Sequence, residues 1–64
     1  MIKNKLQSLL KKLKTEVKES SGKTREDKIL NMINLIARTE LNLKKNDISH
    51  FEEFEREILE YLKR

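Results

Sequence analysis

Apolar residues recur along the chain at spacings of three and four, in three stretches separated by polar breaks. In the first stretch, Ile2, Leu6, Leu9, Leu10, Leu13 and Val17 share an arc of roughly 100° when residues advance by about 100° per step. This is a narrow, coiled-coil-like seam, and it predicts a helix over about 2–20. The helix is expected to end at Ser20-Ser21-Gly22, where hydroxyl residues weaken helix propensity and Gly22 can adopt the left-handed C-terminal conformation.

The second stretch is far wider. Ile29, Leu30, Met32, Ile33, Leu35, Ile36 and Ala37, continued by Leu41 and Leu43, cover roughly 240° of a helix surface. A helix over about 25–41 is predicted, with Thr24 and Asp27 forming a capping box at its start. The width of this face suggests a central helix contacted on two sides. Asn42–Asp47 loses the period and reads as a loop, its ends pinned to the core by Leu43 and Ile48. The third helix, about 49–63, is announced by Ser49-x-x-Glu52, with Asn46 or Asp47 as an earlier start. It carries Phe51, Phe54, Ile58, Tyr61 and Leu62 on one face, widened by Leu59.

These elements predict an all-α fold: a small antiparallel three-helix bundle in one domain, residues 1–64. One bundle is not expected to cover the second helix, so an apolar flank should remain exposed and two-fold dimerisation complete the fold. The spare flank is placed at Met32 and Leu35, with Phe51, Phe54 and Tyr61 as aromatic anchors for a second copy or another protein.

Composition narrows the alternatives. Of 64 residues 41% are charged; there is one Gly, no Pro, no Cys and one His. Turn-dense β folds, disulfide staples and Cys/His zinc sites are thereby excluded. The longest apolar run is Leu35-Ile36-Ala37, too short for a membrane span or a signal-peptide core, so a cytoplasmic location is expected. No phosphate-binding loop, calcium loop or nucleophile motif is present, which argues against an enzyme and against any cofactor or small-molecule substrate. His50 reads as an exposed residue beside a helix start.

Charge is segregated along the chain. The segment 1–28 carries a net +5 and 29–64 a net −1. Lys3, Gln7, Lys11, Lys14 and Lys18 lie within roughly 80° on the first helix, a stripe able to meet phosphates or an acidic protein face. The third helix carries Glu52, Glu53, Glu55, Glu57 and Glu60, with Glu52/Arg56 and Glu60/Arg64 as favoured i, i+4 pairs. Glu55 falls beside the apolar face and needs a cation, for which Arg38 is the expected partner.

Three functions compete. The acidic third helix is ill suited to a DNA groove, but the Lys stripe could contact a nucleic-acid backbone, and the architecture resembles that of small antiparallel helical dimers of the Rop kind, which bind RNA through helix faces. The resemblance is one of architecture, with no motif matching residue by residue. A membrane surface is a poorer target, because the first helix lacks Trp and Phe and needs its Leu seam for the core. The leading reading is a non-catalytic protein-interaction module of regulator, inhibitor, immunity or adaptor type. The abundance of Lys, Asn and Ile fits an A/T-rich bacterial, phage or plasmid genome.

Overall fold

The computed structural model describes residues 2–20 and 22–63. Three α-helices, α1 (Ile2–Ser20), α2 (Glu26–Lys45) and α3 (Phe51–Leu62), are joined by a short turn and by a single 3₁₀ turn, Ile48–His50. All three pack on one another, and among the described residues there is no strand. Contacts fix their directions: Lys3 at the start of α1 reaches Asn46 at the end of α2, and Lys14 pairs with Glu40. Leu35 and Arg38 in the middle of α2 line a common groove with Glu57 and Tyr61 of α3.

Each helix end follows from local chemistry. Behind α1, Gly22 takes φ 83°, and the amides of Lys23 and Thr24 donate to the Ser20 carbonyl at 2.9 and 3.1 Å. A left-handed residue lets the chain reverse without leaving the last carbonyls unpaired. Ser21 lies outside the described residues.

The start of α2 differs from the expected capping box. Arg25 occupies the N-cap and no side chain caps the helix; Asp27 instead accepts from the Lys28 amide at 2.9 Å and from Arg25 at 3.2 Å. Thr24 is one residue too early to reach the first orphan amides. Asp27 still sits at the positive end of the helix, where an anion is favoured.

At the other end α2 runs one turn beyond Leu41, through the segment expected to be a loop. Asn46, in the left-handed conformation (φ 57°), ends it: its amide points to Leu43 and the Asp47 amide donates to Asn42 at 2.9 Å. This is the Schellman arrangement, with Asn where Gly is commonest. Turn-forming residues at 42–47 thus mark where the helix stops, one turn later than the loss of apolar period suggests.

Before α3, Asp47, one of the earlier starts expected, caps the 3₁₀ turn Ile48–His50, and α3 itself has His50 at its N-cap with no side-chain cap. The Asp47 carboxylate accepts from the Ser49 amide at 3.1 Å and from the Ser49 hydroxyl. Ser49 is a donor here and not the capping acceptor, so the Ser49/Glu52 box does not form. Ile48, expected to pin the loop, is exposed.

The core is one cluster: Leu6, Leu9, Leu10 and Leu13 from α1, Met32 and Leu35 from α2, and Phe51, Phe54 and Ile58 from α3. Burying such a side chain contributes about 1.5–3 kcal/mol each, before conformational entropy is set against it. Thr39 is the buried polar residue, fully enclosed, and its hydroxyl donates to the Leu35 carbonyl at 2.7 Å. That bond satisfies a polar group which would otherwise be costly in an apolar site.

The central helix is α1, not α2. Contact is most extensive between α1 and α3 and least between α2 and α3. In a three-helix cluster the two neighbours of any helix lie about 60° apart around its axis, so an arc of roughly 100° reaches both. The extra width of α2 therefore cannot be used within the bundle.

Candidate functional site

The surplus width of α2 becomes a surface. Met32, Leu35 and Thr39 define its buried side, and Ile29, Ile36 and Leu43 are half-buried along one flank. Across the helix, Leu30, Ile33, Ala37 and Leu41 share an arc of roughly 80° and all face solvent. Leu30 is 59% exposed, Ile33 46% and Leu41 51%; Ala37 is exposed as well. With a rise of about 1.5 Å per residue the stripe is about 16 Å long. Single exposed apolar residues are ordinary; here four lie in one contiguous row on one helix.

The ends of this row are charged with opposite sign. Glu26, one turn before Leu30, and Lys44, just beyond Leu41, fall in line with the stripe, each at the same angular position as the other. Asp27 and Lys45 lie next to them, and all four side chains are solvent-exposed.

The surfaces placed from sequence fare differently. Met32, Leu35, Phe51 and Phe54 cannot serve as an interface with a second copy or another protein, because all four are enclosed in the monomer core. The spare flank of α2 lies on the opposite side, at Leu30, Ile33, Ala37 and Leu41. Tyr61 is half-buried in the groove between α2 and α3, beside Asn31, Asn34, Arg38 and Glu57. Its ring packs against the core cluster, with Leu35 also lining the groove, while the polar neighbours suit its phenol tip.

Lys3, Gln7, Lys11, Lys14 and Lys18 are all exposed and lie on one side of α1. The stripe is not a free run of cations, however. Lys14 is paired with Glu40 of α2, and Lys3 donates to the Asn46 side chain at 3.4 Å. Gln7, Lys11 and Lys14 border an open groove with Leu10, Glu40 and Leu43, so a carboxylate lies within the surface a phosphate would approach.

Glu55 has a cation, but not the expected one. Lys5 Nζ lies 2.8 Å from Glu55 Oε2, whose side chain is 19% exposed. The approach falls outside hydrogen-bond geometry, leaving a charge contact at the rim of the α1–α3 seam. Arg38 is occupied elsewhere, its Nε donating to Asn34 at 3.0 Å on the same face of α2. The reason is topological: α3 packs most closely on α1, so the cation nearest Glu55 comes from that helix.

Around the start of α3, His50 is exposed, with Nδ1 3.5 Å from the Glu53 carboxylate and its ring edge-on to Phe54 at 6.2 Å. Among the ion pairs of the described residues Glu52–Arg56 is absent, and Arg64, the partner expected for Glu60, lies outside the described residues. Asp47 has its carboxyl held below the usual carboxylate range, first by the Ser49 hydroxyl and then by the Ser49 amide.

The grooves on the surface are open rather than enclosed. Among the described residues no three His, Asp or Glu side chains converge as a metal site, and no helix is long and apolar enough to cross a membrane. Comparison with protein-family models, curated proteins and solved structures finds no match to the chain.

Proposed function

We propose that the chain is a non-catalytic interaction module that acts by docking a protein surface against the outer face of α2. The observation that supports this is the exposed row Leu30, Ile33, Ala37 and Leu41. Helix-in-groove and helix-on-helix recognition use such anchors at spacings of three, four and seven, with charged residues at the rim to orient the partner. Regulators, inhibitors, immunity proteins and adaptors work in this way, and a cytoplasmic setting suits the reading.

Nucleic-acid binding through the Lys stripe has weaker support, because Glu40 neutralises Lys14 near the middle of that surface. The two readings separate by substitution. Ile33→Lys is expected to abolish docking of a protein partner while leaving helix content and melting temperature unchanged at low concentration. Replacing Lys11, Lys14 and Lys18 by Gln leaves that docking in place. A chain that binds duplex RNA or DNA with steep salt dependence, and loses it in the triple Gln variant, overturns the protein-docking reading.

A further inference from the structure

We infer that the surface docked on α2 is the α2 of a second copy, laid antiparallel across a two-fold axis near residue 35. The inference rests on the docking reading above and names its partner. What carries it is the order of residues along the exposed row: Glu26, Leu30, Ile33, Ala37, Leu41, Lys44. The row has an acid at one end, a base at the other, and apolar side chains between.

Reversing a second copy about residue 35 makes this row complementary to itself. Ile33 of each copy then lies across from Ala37 of the other, twice, so that a large side chain meets a small one and the helix axes can approach closely. Leu30 of each copy falls beside the other's Leu41. At the two ends Glu26 faces the second copy's Lys44, with Asp27 and Lys45 alongside. A two-fold contact must be self-complementary in this sense, each patch meeting its own reversed image. In the parallel alternative every residue faces its own number, Glu26 against Glu26 and Lys44 against Lys44, and both ends repel. Charge therefore selects the antiparallel orientation.

The size of the contact sets its strength. Glu26 to Lys44 spans about 27 Å of helix, and a single helix-on-helix contact lies at the small end of specific interfaces. The dimer is reversible and concentration-dependent, unlike an assembly whose protomers cannot fold alone, since the core of each copy is already closed by its own three helices.

Sedimentation equilibrium of the full chain between roughly 1 µM and 1 mM tests this, with helix content measured in parallel. The expected result is a monomer–dimer equilibrium that Ile33→Lys weakens by roughly tenfold or more. Glu26→Lys and Lys44→Glu each weaken it alone, because each places like charges together. Mixing these two variants recovers association, since a Glu26→Lys chain and a Lys44→Glu chain are complementary at both ends. The double variant E26K/K44E recovers it too. A dimer indifferent to Ile33→Lys overturns the surface. Single swaps without effect, or no recovery on mixing, overturn the antiparallel register. A chain monomeric throughout overturns the second copy as partner but leaves the docking reading standing, which falls if partner capture survives Ile33→Lys or if the chain binds nucleic acid through the Lys stripe.

Discussion

The first two helices are nearly equal in length, 19 and 20 residues, yet they use their apolar residues in different ways. In α1 the seam Leu6, Leu9, Leu10 and Leu13 is buried throughout, Ile2 and Val17 extend it half-buried at either end, and the remainder of the helix is Lys, Gln, Ser, Thr and Glu, with Asn4 near its start. In α2 two apolar faces lie back to back: one closes the core, and the other, Leu30 to Leu41, meets solvent. The narrower helix has the more extensive contacts. The number of neighbours a helix serves is thus set by its position in the cluster, and apolar width beyond that position's requirement is left facing solvent.

Truncations on the two helices should break or confirm this contrast most sharply. Leu13→Ala removes a fully buried side chain and is expected to cost about 2–5 kcal/mol, enough in a domain this small to unfold much of the population at room temperature. Leu30→Ala, at low protein concentration, is expected to change stability by no more than about 0.5 kcal/mol. Urea titration followed by circular dichroism measures both. Equal losses would show that the outer face of α2 is part of the monomer core.

Next in size is the cap of the 3₁₀ turn that leads into α3. Because the Asp47 carboxyl titrates below its usual range through its bonds to Ser49, its contribution is present above the unfolded value of about 3.9 and is lost as pH falls through the lower, folded value. Asp47→Asn is expected to lower the melting temperature at neutral pH. The gap between variant and wild type closes below about pH 4. A gap constant with pH would mean that the carboxylate charge is not what the cap uses.

Smaller effects probe the edges of the seam and of α2. Lys5→Ala leaves Glu55 without its cation at a partly solvated rim; a loss of no more than about 1 kcal/mol is expected, diminishing as salt is added. Asn46→Gly relieves a non-glycine residue of its left-handed backbone. It is expected to raise stability by a few tenths of a kcal/mol, read as a small upward shift in melting temperature.

Helix number, the α1 seam and the aromatic contribution of α3 were all legible from period and spacing, because those faces are apolar on one side only. The two sides of α2 were not, since apolar width alone does not say which arc turns inward. Period alone puts Met32 and Leu35 on the free flank as readily as in the core, and the fully buried Thr39 carries no signal of its own. A clue to the exposed arc was nonetheless present. Glu26 and Lys44 bracket Leu30, Ile33, Ala37 and Leu41 at one angular position, a rim of opposite charges around an apolar row that a core face would not need. At the entry to α3 the alternative start at Asp47 is the one used, its carboxylate taking the Ser49 amide and hydroxyl, whereas at the entry to α2 the N-cap moves on to Arg25 and the Thr24/Asp27 box does not form.

The central claim, that α2 presents a second apolar face built for another copy of itself, is tested most directly by amide nuclear magnetic resonance spectra recorded across a dilution series of the unmodified chain. The account predicts concentration-dependent shifts grouped at Leu30, Ile33, Ala37 and Leu41 and at the charged ends Glu26 and Lys44, with the α1 seam unmoved. Spectra that do not change with concentration, or changes that gather on the Lys stripe of α1, would contradict it.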